Sequence, residues 1–455
     1  GKKIAIPMTS CADAVVLEET IRKKFPNLRI KLYSRLTLQS EKTKHFADIN
    51  TYWSNYDIVI YTPTVSAGVS FEMEHFDCIF GYFINLSCTI ETCHQMIGRI
   101  RNVGDKEFYI CLTTTYEYYP CTRELINNEI QFKHDSLMRK QFVENSFEFT
   151  YISNATINFP KTTYYNVWIE NTIMKNKSRN NFVERFIGLI LYTGSKCEQM
   201  KAEISQELDQ LKDEMKFIKE TLKDVENNNI SKSDDINAVV AKSIKDRIDL
   251  QLDITMEERY SLDKYRLKID YSFTKNITPD FVNVYNTREK RRQFKNLQAL
   301  QLVPDTVSVL NFLQEREQLR HQFLLDKDSE AYLVINWKGD SFEHHRYAIS
   351  FLTLMGWDTI YSTATIPCDI ARSRINTAYY WENIPHACLL FGLKHPKIDA
   401  DIDKLIKPIN EILKIMYGIY IRKKKSEDFF YLKENLAFSL VDHPTIPCVT
   451  PQLTN

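Results

Sequence analysis

TIETCHQMIGRIR (Thr89–Arg101), read together with YTPTVSAGVSFE (Tyr61–Glu72), decides how the N-terminal region of this chain folds. Tyr61 closes the run DIVIY (Asp57–Tyr61), and FDCIFGYF (Phe76–Phe83) precedes the other stretch. Both runs are nearly continuous in apolar residues, as strands buried on both faces of a parallel sheet are. Working outward, Lys3–Met8, Leu28–Tyr33 and Lys106–Leu112 also read as strands, while Ala12–Lys24, Glu41–Ser54 and Thr89–Ile100 carry helical apolar spacing. Strands alternating with helices predict right-handed crossovers, and so an α/β domain with a doubly wound, mostly parallel sheet over residues 1–115. Ligands of such sheets gather beyond the carboxyl ends of the strands, where both stretches are expected.

The residue types in the two stretches suit phosphate chemistry. Thr62 and Thr64 follow a strand directly, and Gly68 permits a tight turn of close approach. Hydroxyls and backbone N–H groups at a strand end fit a phosphate, of a nucleotide or of a nucleic-acid backbone. Gln95 and Arg99 lie at i and i+4 of the expected helix, with His94 beside them, and Gly98 lets the chain come close to a partner. Arg101 is expected to point away from Arg99. Two guanidiniums at one helix end can stabilise charge on a transferring phosphoryl group.

On these residues the chain resembles the superfamily 2 helicases. IAIPMTS, YTPTVSAGVSFE and QMIGRIR look like their motifs IV, V and VI, and the small-Gly-Val-Ser-Phe turn with GRxR is closest to the origin-binding-protein helicases of herpesviruses and their relatives in other large DNA viruses. The resemblance implies a second RecA-like domain with ATP and Mg²⁺ as cofactors. It implies that Gln95, Arg99 and Arg101 face ATP near Gly68, Ser70, Glu72 and Gly98, and that Ser10, Thr62 and Thr64 face a strand phosphate. Ser70 stands where many members have an acidic residue, with Glu72 two further on. Arg101 is two residues after Arg99 where three is common, so the finger assignment is open between them. No GxxxxGK[ST] occurs in the chain. The phosphate-binding loop and most Mg²⁺ ligands are therefore expected in an upstream domain, and the isolated chain is expected to be inactive.

Composition sets outer limits. The chain has 455 residues, 44% hydrophobic and 26% charged, enough for several cores in a globular protein. Lys+Arg and Asp+Glu are equal at 59 each, so nucleic-acid contacts must come from local patches. Ten cysteines form no CxxC, which suits a reducing intracellular compartment; by the resemblance that is a viral replication site in the host cell. No apolar run approaches the ~18 residues of a membrane span. A single glycine before the first strand looks like the start of an excised domain.

Residues 116–195 read as a mixed connector, with Phe147–Tyr165 β-prone, and 196–250 as a helical hairpin. Ile204, Leu208, Leu211, Met215, Ile218, Leu222 and Val225 form a coiled-coil-like seam, paired with the following helix or with a second copy in a homo-oligomer. Residues 251–442 read as mainly helical and 443–455 as a loose tail. Arg288, Arg291, Arg292 and Lys295 share one helix face suited to nucleic-acid phosphates, with a weaker basic run at Arg422–Lys425. His344 and His345 read as helix-surface residues, Asp305–Gln322 as a helix and Tyr332–Trp337 as a strand. The expected protein is the C-terminal half of an ATP-driven helicase or translocase acting on single-stranded or forked DNA, beside upstream helicase and primase domains. The alternative is a non-catalytic DNA-binding and oligomerisation module.

Overall fold

The computed structural model describes residues 1–65, 68–115, 118–138, 141–142, 149–150, 162–200, 206–273, 275–302, 342–355, 365–375, 377–397, 400–423 and 429–434. They form two compact units, residues 1–125 with 167–265 and residues 126–166 with 266–455. The helix expected at Asp305–Gln322 and the strand at Tyr332–Trp337 lie outside the described residues.

The first unit is built on β1 (Ile4–Pro7), α1 (Cys11–Lys24), β2 (Ile30–Tyr33), α2 (Gln39–Ala47), α3 (Ile49–Trp53), β3 (Ile58–Tyr61), β4 (Phe76–Ile84), α4 (Ile90–Ile97) and β5 (Val103–Thr113). The five strands make one sheet in the order β2-β3-β1-β4-β5, every pair parallel. Period-two alternation explains its two cores. Ile6, Ile58 and Ile60 point to the face covered by α1, while Ala5, Val59, Tyr61 and Ile79 point to the face where Trp53, Phe71 and the α4 residues Ile90, Cys93, Met96 and Ile97 pack. Helices on both faces of a parallel sheet are the doubly wound arrangement that the alternation predicted. The expected Glu41–Ser54 helix is two helices, broken at Asp48, whose carboxylate accepts the Thr51 N–H at 3.2 Å.

The chain continues through α5 (Arg123–Met138), β6 (Gln141–Phe142), β7 (Phe149–Thr150), α6 (Thr163–Asn180), α7 (Phe182–Tyr192), α8 (Gln206–Lys232), α9 (Ala238–Asp249) and α10 (Met256–Asp270). Thr163–Tyr165, expected in a β-prone segment, opens α6 instead. Phe182 and Phe186 of α7 complete the core above α4. The middle of the α8 seam packs against α1: Ile218 is 1% exposed, Lys24–Glu214 and Asp13–Lys219 ion pairs flank the contact, Val225 is exposed, and Ile204 lies outside the described residues.

The second unit contains α11 (Pro279–Tyr285), α12 (Arg288–Leu302), α13 (Phe342–Leu354), β8 (Thr365–Pro367), α14 (Cys368–Ile375), α15 (Ala378–Phe391), α16 (Ile402–Tyr417), β9 (Ile419–Lys423) and β10 (Phe429–Glu434). Its centre is α16, whose apolar positions Ile402, Leu405, Ile406, Ile409, Ile412, Leu413 and Met416 are buried at helical spacing. Gly418 ends α16 in the left-handed region at φ 70°. A Cβ there would also stand 3.0 Å from Gln293 Oε1. Carbonyls at the end of α16 accept from α12: Gln293 donates to Lys414 O, which also accepts the Gly418 N–H, at 2.7 Å and Asn296 donates to Met416 O at 2.9 Å. Asn296 is 9% exposed, so water cannot replace its amide. Asn296→Ala is expected to cost about 1–3 kcal/mol, read as a lower urea midpoint for the second unit, and an unchanged midpoint would remove this role. His345 is 4% exposed, which corrects its reading as a helix-surface residue. It sits on the face of α13 that also buries Ile349 and Leu352.

Candidate functional site

The two focal stretches are one piece of structure. Phe71 N–H donates to Arg99 O at 2.7 Å and Arg101 N–H donates to Phe71 O at 2.9 Å, so Phe71 and Ile100 form a parallel bridge. Both bridge residues are buried, Phe71 at 0% and Ile100 at 3% exposure. This revises the expected helix. α4 ends at Ile97 with Gly98 as its C-cap, and residues 99–101 leave it to run beside Phe71. Arg99 is still in the turn that follows α4, its N–H on Met96 O at 3.2 Å, and Arg101 stands just past the bridge residue Ile100. Gln95 stays behind on α4, exposed.

The guanidiniums are held differently. Arg99 donates through Nη1 to Val69 O at 3.1 Å, is half-buried, and its Nε is buried with no hydrogen-bond partner among the described residues. Arg101 is exposed and its Nε donates to Ser70 Oγ at 3.0 Å. Ser70 is therefore the partner of the second arginine. Glu72 is exposed, and its backbone is pinned twice: its N–H donates to Asn50 Oδ1 at 2.9 Å, and its carbonyl accepts Asn102 Nδ2 at 2.6 Å. Gly68 lies in the left-handed region at φ 91°, exposed, where a side chain would be strained. Gly98 has no such need, since a Cβ there would meet Gln95 O at an ordinary 3.6 Å. Tyr61 ties the site to the sheet: its hydroxyl donates to Met96 O at 2.8 Å, and burial pushes its phenol well above the usual range. Sequence reading missed Asn50, Tyr61 and Asn102, whose roles depend on partners 22 to 35 residues away.

Topology separates the arginines from the hydroxyls. Phe76 and Val103 are register partners at the starts of β4 and β5, so Phe71 and Arg101, just before them, lie at the amino ends of these strands. The arginines are thus not beyond the carboxyl ends, as expected. Ser10, Thr62 and Thr64 are there. Thr62 is 3% exposed, with its hydroxyl bonded to Tyr33 O at 3.3 Å and sharing a 2.9 Å hydrogen bond with Thr64. It braces the loop, and Thr64 is the more open hydroxyl. Ser10 caps α1 by accepting the Asp13 N–H at 3.2 Å. It lies where β1 and β4 send the chain in opposite directions across the sheet, the switch point of the fold. Thr9 stitches that point together, accepting the Ile84 N–H at 2.8 Å and, through its carbonyl, the Ser87 hydroxyl at 3.0 Å.

The basic face of α12 turns out to be spent largely within the second unit. Arg291 and Lys295 both pair with Asp270, at 3.1 and 3.0 Å, and Arg292 donates to Ile415 O at 3.4 Å. Arg288 is exposed at the helix start. Helix packing, not an open phosphate-binding face, accounts for most of this run. The side chains of Arg422–Lys425 lie outside the described residues. Among the described residues no group of His, Cys, Asp or Glu could hold a metal ion, and no helix is long and apolar enough to cross a membrane.

Residues 18–164 match the family described as origin of replication binding protein. The chain is 32% identical over 99% of its length to the putative helicase/primase complex protein of African swine fever virus isolate Pig/Kenya/KEN-50/1950, covering 43% of that protein. It is 33% identical over 25% of its length to the replication origin-binding protein of human herpesvirus 7, covering 14% of it. The putative replication origin-binding protein of Acanthamoeba polyphaga mimivirus matches at 30% over 24% of the chain and 13% of that protein. No solved structure matches. The chain spans less than half the length of the African swine fever virus proteins it matches, yet almost all of the chain takes part. The two sequence stretches joined at Phe71 and Ile100 thus belong to a chain that resembles the origin of replication binding protein family over residues 18–164 and the African swine fever virus helicase/primase complex protein along nearly its whole length.

Proposed function

We propose that this chain is the C-terminal part of an ATP-dependent DNA helicase or translocase of viral DNA replication, with its first unit serving as the second RecA-like motor domain. The observation that carries this reading is the Phe71–Ile100 bridge, which holds Arg99 and Arg101, on either side of Ile100, against the segment Val69–Phe71. ATP, when bound, supplies the phosphoanhydride whose cleavage drives movement. The chain's own part is to present positive charge. Arg101, exposed and steadied by Ser70, is the residue that reaches the γ-phosphate. Arg99 stays bound to Val69 and keeps the loop in place. Exposed Gln95 and Glu72 lie on the segments that flank this pair. Ser10 and Thr64, at the other edge of the sheet, face a strand phosphate, so nucleotide and strand are read by opposite ends of one sheet. Mg²⁺ ligands and the phosphate-binding loop belong to upstream sequence, since the chain contains no GxxxxGK[ST].

The alternative of a non-catalytic oligomerisation module relies on the α8 seam. That seam has a partner in α1, so it does not favour a second copy. The test is ATP hydrolysis with and without single-stranded DNA, by the chain alone and by the intact protein. The chain alone is expected to bind the strand without turnover, and the intact protein to be DNA-stimulated. Turnover by the chain alone, or an intact protein indifferent to DNA, would overturn the proposal.

A further inference from the structure

Cys88 and Cys93 stand at the start of α4 with their sulfurs 3.6 Å apart, both as free thiols. Thr89 is the N-cap of α4, so Cys88 comes just before the cap and Cys93 is the fourth residue of the helix. Apolar residues at these two positions pack together and fix the angle at which a chain enters a helix, the hydrophobic staple. Here both halves of the staple are cysteines, so a packing contact can become a covalent one. The two environments differ. Cys93 is 0% exposed in the core that also holds Phe182 and Phe186, whereas Cys88 is half-buried at the margin of that core. The Cys93 S–H donates to the Cys88 sulfur, which holds the Cys88 thiol below the ordinary cysteine range; the same contact, with burial, pushes Cys93 above it. A reachable sulfur that ionises readily, beside a buried one that keeps its proton, suits two successive roles in oxidation.

We propose that Cys88 and Cys93 form an oxidation-sensitive dithiol, closed to a disulfide by a peroxide, and that closure loosens the switch point of the sheet at Thr9 and Ser10. The Cys88 thiolate attacks one peroxide oxygen, the O–O bond breaks, the leaving hydroxide is protonated to water, and Cys88 carries a sulfenic acid. The Cys93 sulfur then attacks the Cys88 sulfur. The S–S bond forms, the S–O bond breaks, and the departing hydroxide takes the Cys93 proton as a second water. The two thiols lose two electrons and the peroxide gains them. Closure brings the sulfurs from 3.6 Å to the ~2.05 Å of a disulfide. Cys93 is fixed in the core, and the Ile90 N–H is tied to Ser178 Oγ at 2.8 Å, so the loop before α4 has to give. Ser87 in that loop donates its hydroxyl to Thr9 O at 3.0 Å, next to Ser10. Drawing Cys88 inward pulls Ser87 away from Thr9. The effect on a strand at Ser10 rests on the motor reading above; the dithiol itself does not.

The test uses the whole chain, hydrogen peroxide as oxidant, and a labelled oligothymidylate of roughly 20 nucleotides as strand probe. Proteolysis after Glu91 separates the two cysteines, so the oxidised chain is expected to yield two peptides held together until dithiothreitol releases them. In Cys93→Ala the reaction is expected to stop at the sulfenic acid, trapped at Cys88 by dimedone. Oligonucleotide binding by the unaltered chain should weaken several-fold on oxidation and recover with dithiothreitol, while Cys88→Ser binds equally before and after peroxide. An oxidised chain with no link between Cys88 and Cys93, or with Cys88 joined to another cysteine, would overturn the dithiol. A link that forms and leaves oligonucleotide binding unchanged would overturn its action on the switch point. A reduced chain that does not bind the oligonucleotide would overturn that action together with the motor reading, and the peptide link would still decide the dithiol. An unshifted melting temperature of Cys88→Ser before oxidation shows that its fold is intact.

Discussion

Arg101→Ala in the intact protein is expected to lower DNA-stimulated ATP hydrolysis by roughly 10³–10⁵-fold, the range an arginine finger supplies, with an unchanged melting temperature. The contrast between the two arginines makes the experiment informative. Arg101 is exposed and its Nε bonds a half-exposed serine, so deletion removes little from the folded state. Arg99 is half-buried on Val69, and its removal should disturb the loop that carries Gly68 and Ser70. Arg99→Ala should therefore lower both stability and turnover. Arg101→Lys separates charge from geometry: a lysine keeps the charge but lacks the fork, and recovery of less than about a tenth of the missing rate is expected. Oligonucleotide binding without nucleotide should be unaffected by Arg101→Ala, because Ser10, Thr62 and Thr64, proposed to face the strand, lie at the other ends of the strands. Full hydrolysis in Arg101→Ala, with Arg99→Ala impaired, would transfer the role to Arg99. Full activity in both would end the motor reading.

Much of the first unit is legible in the sequence because its strands are short apolar runs between turn residues, and burial on both faces leaves little other use for a sequence such as IVIY. The end of α4 is not. Ile97 and Ile100 are three apart, a helical spacing, so the apolar pattern runs on through the point where the backbone changes. Ile100 is buried for a different reason, as one half of a bridge to Phe71, far back in the chain. The α8 seam is equally visible, but not its partner α1, which lies near the start of the chain. The basic face of α12 has the spacing that the sequence suggests and a different counterpart. Periodicity shows that four cations share a face; it does not show that Asp270 and the carbonyl end of α16 stand opposite. In each case local pattern specifies which side of an element is special, and only tertiary structure specifies what meets it.

Trp53→Ala is expected to cost about 3–5 kcal/mol, a large part of the ~5–15 kcal/mol that typically separates folded from unfolded domains, and to disable the arginine pair without touching it. Trp53 is 0% exposed at the end of α3. Its ring lies 5.8 Å from Tyr33 and 5.9 Å from Phe71, nearly parallel to both, with Tyr61 at 5.3 Å and Phe76 edge-on at 6.4 Å. Three of these neighbours have a place in the site. Phe71 carries the two backbone hydrogen bonds that hold residues 99–101, Tyr61 holds Met96 through its hydroxyl, and Tyr33 accepts from Thr62 at the opposite sheet edge. Removing the indole leaves a cavity that Phe71 borders directly, and a bridge of two hydrogen bonds cannot hold an extended segment whose anchor is no longer supported. The measurement is amide hydrogen exchange at Phe71 and Arg101, whose N–H groups make those two bonds. Both should lose protection in Trp53→Ala before the amides of β1 and β3 do, and turnover in the intact protein should fall in parallel. Trp53→Phe keeps an aromatic ring against Phe71 and should retain most of both. If the Phe71 and Arg101 amides stay protected in Trp53→Ala while β1 and β3 open, the bridge is held by something other than the aromatic cluster. The arginines would then owe their placement to the β4–β5 crossover alone.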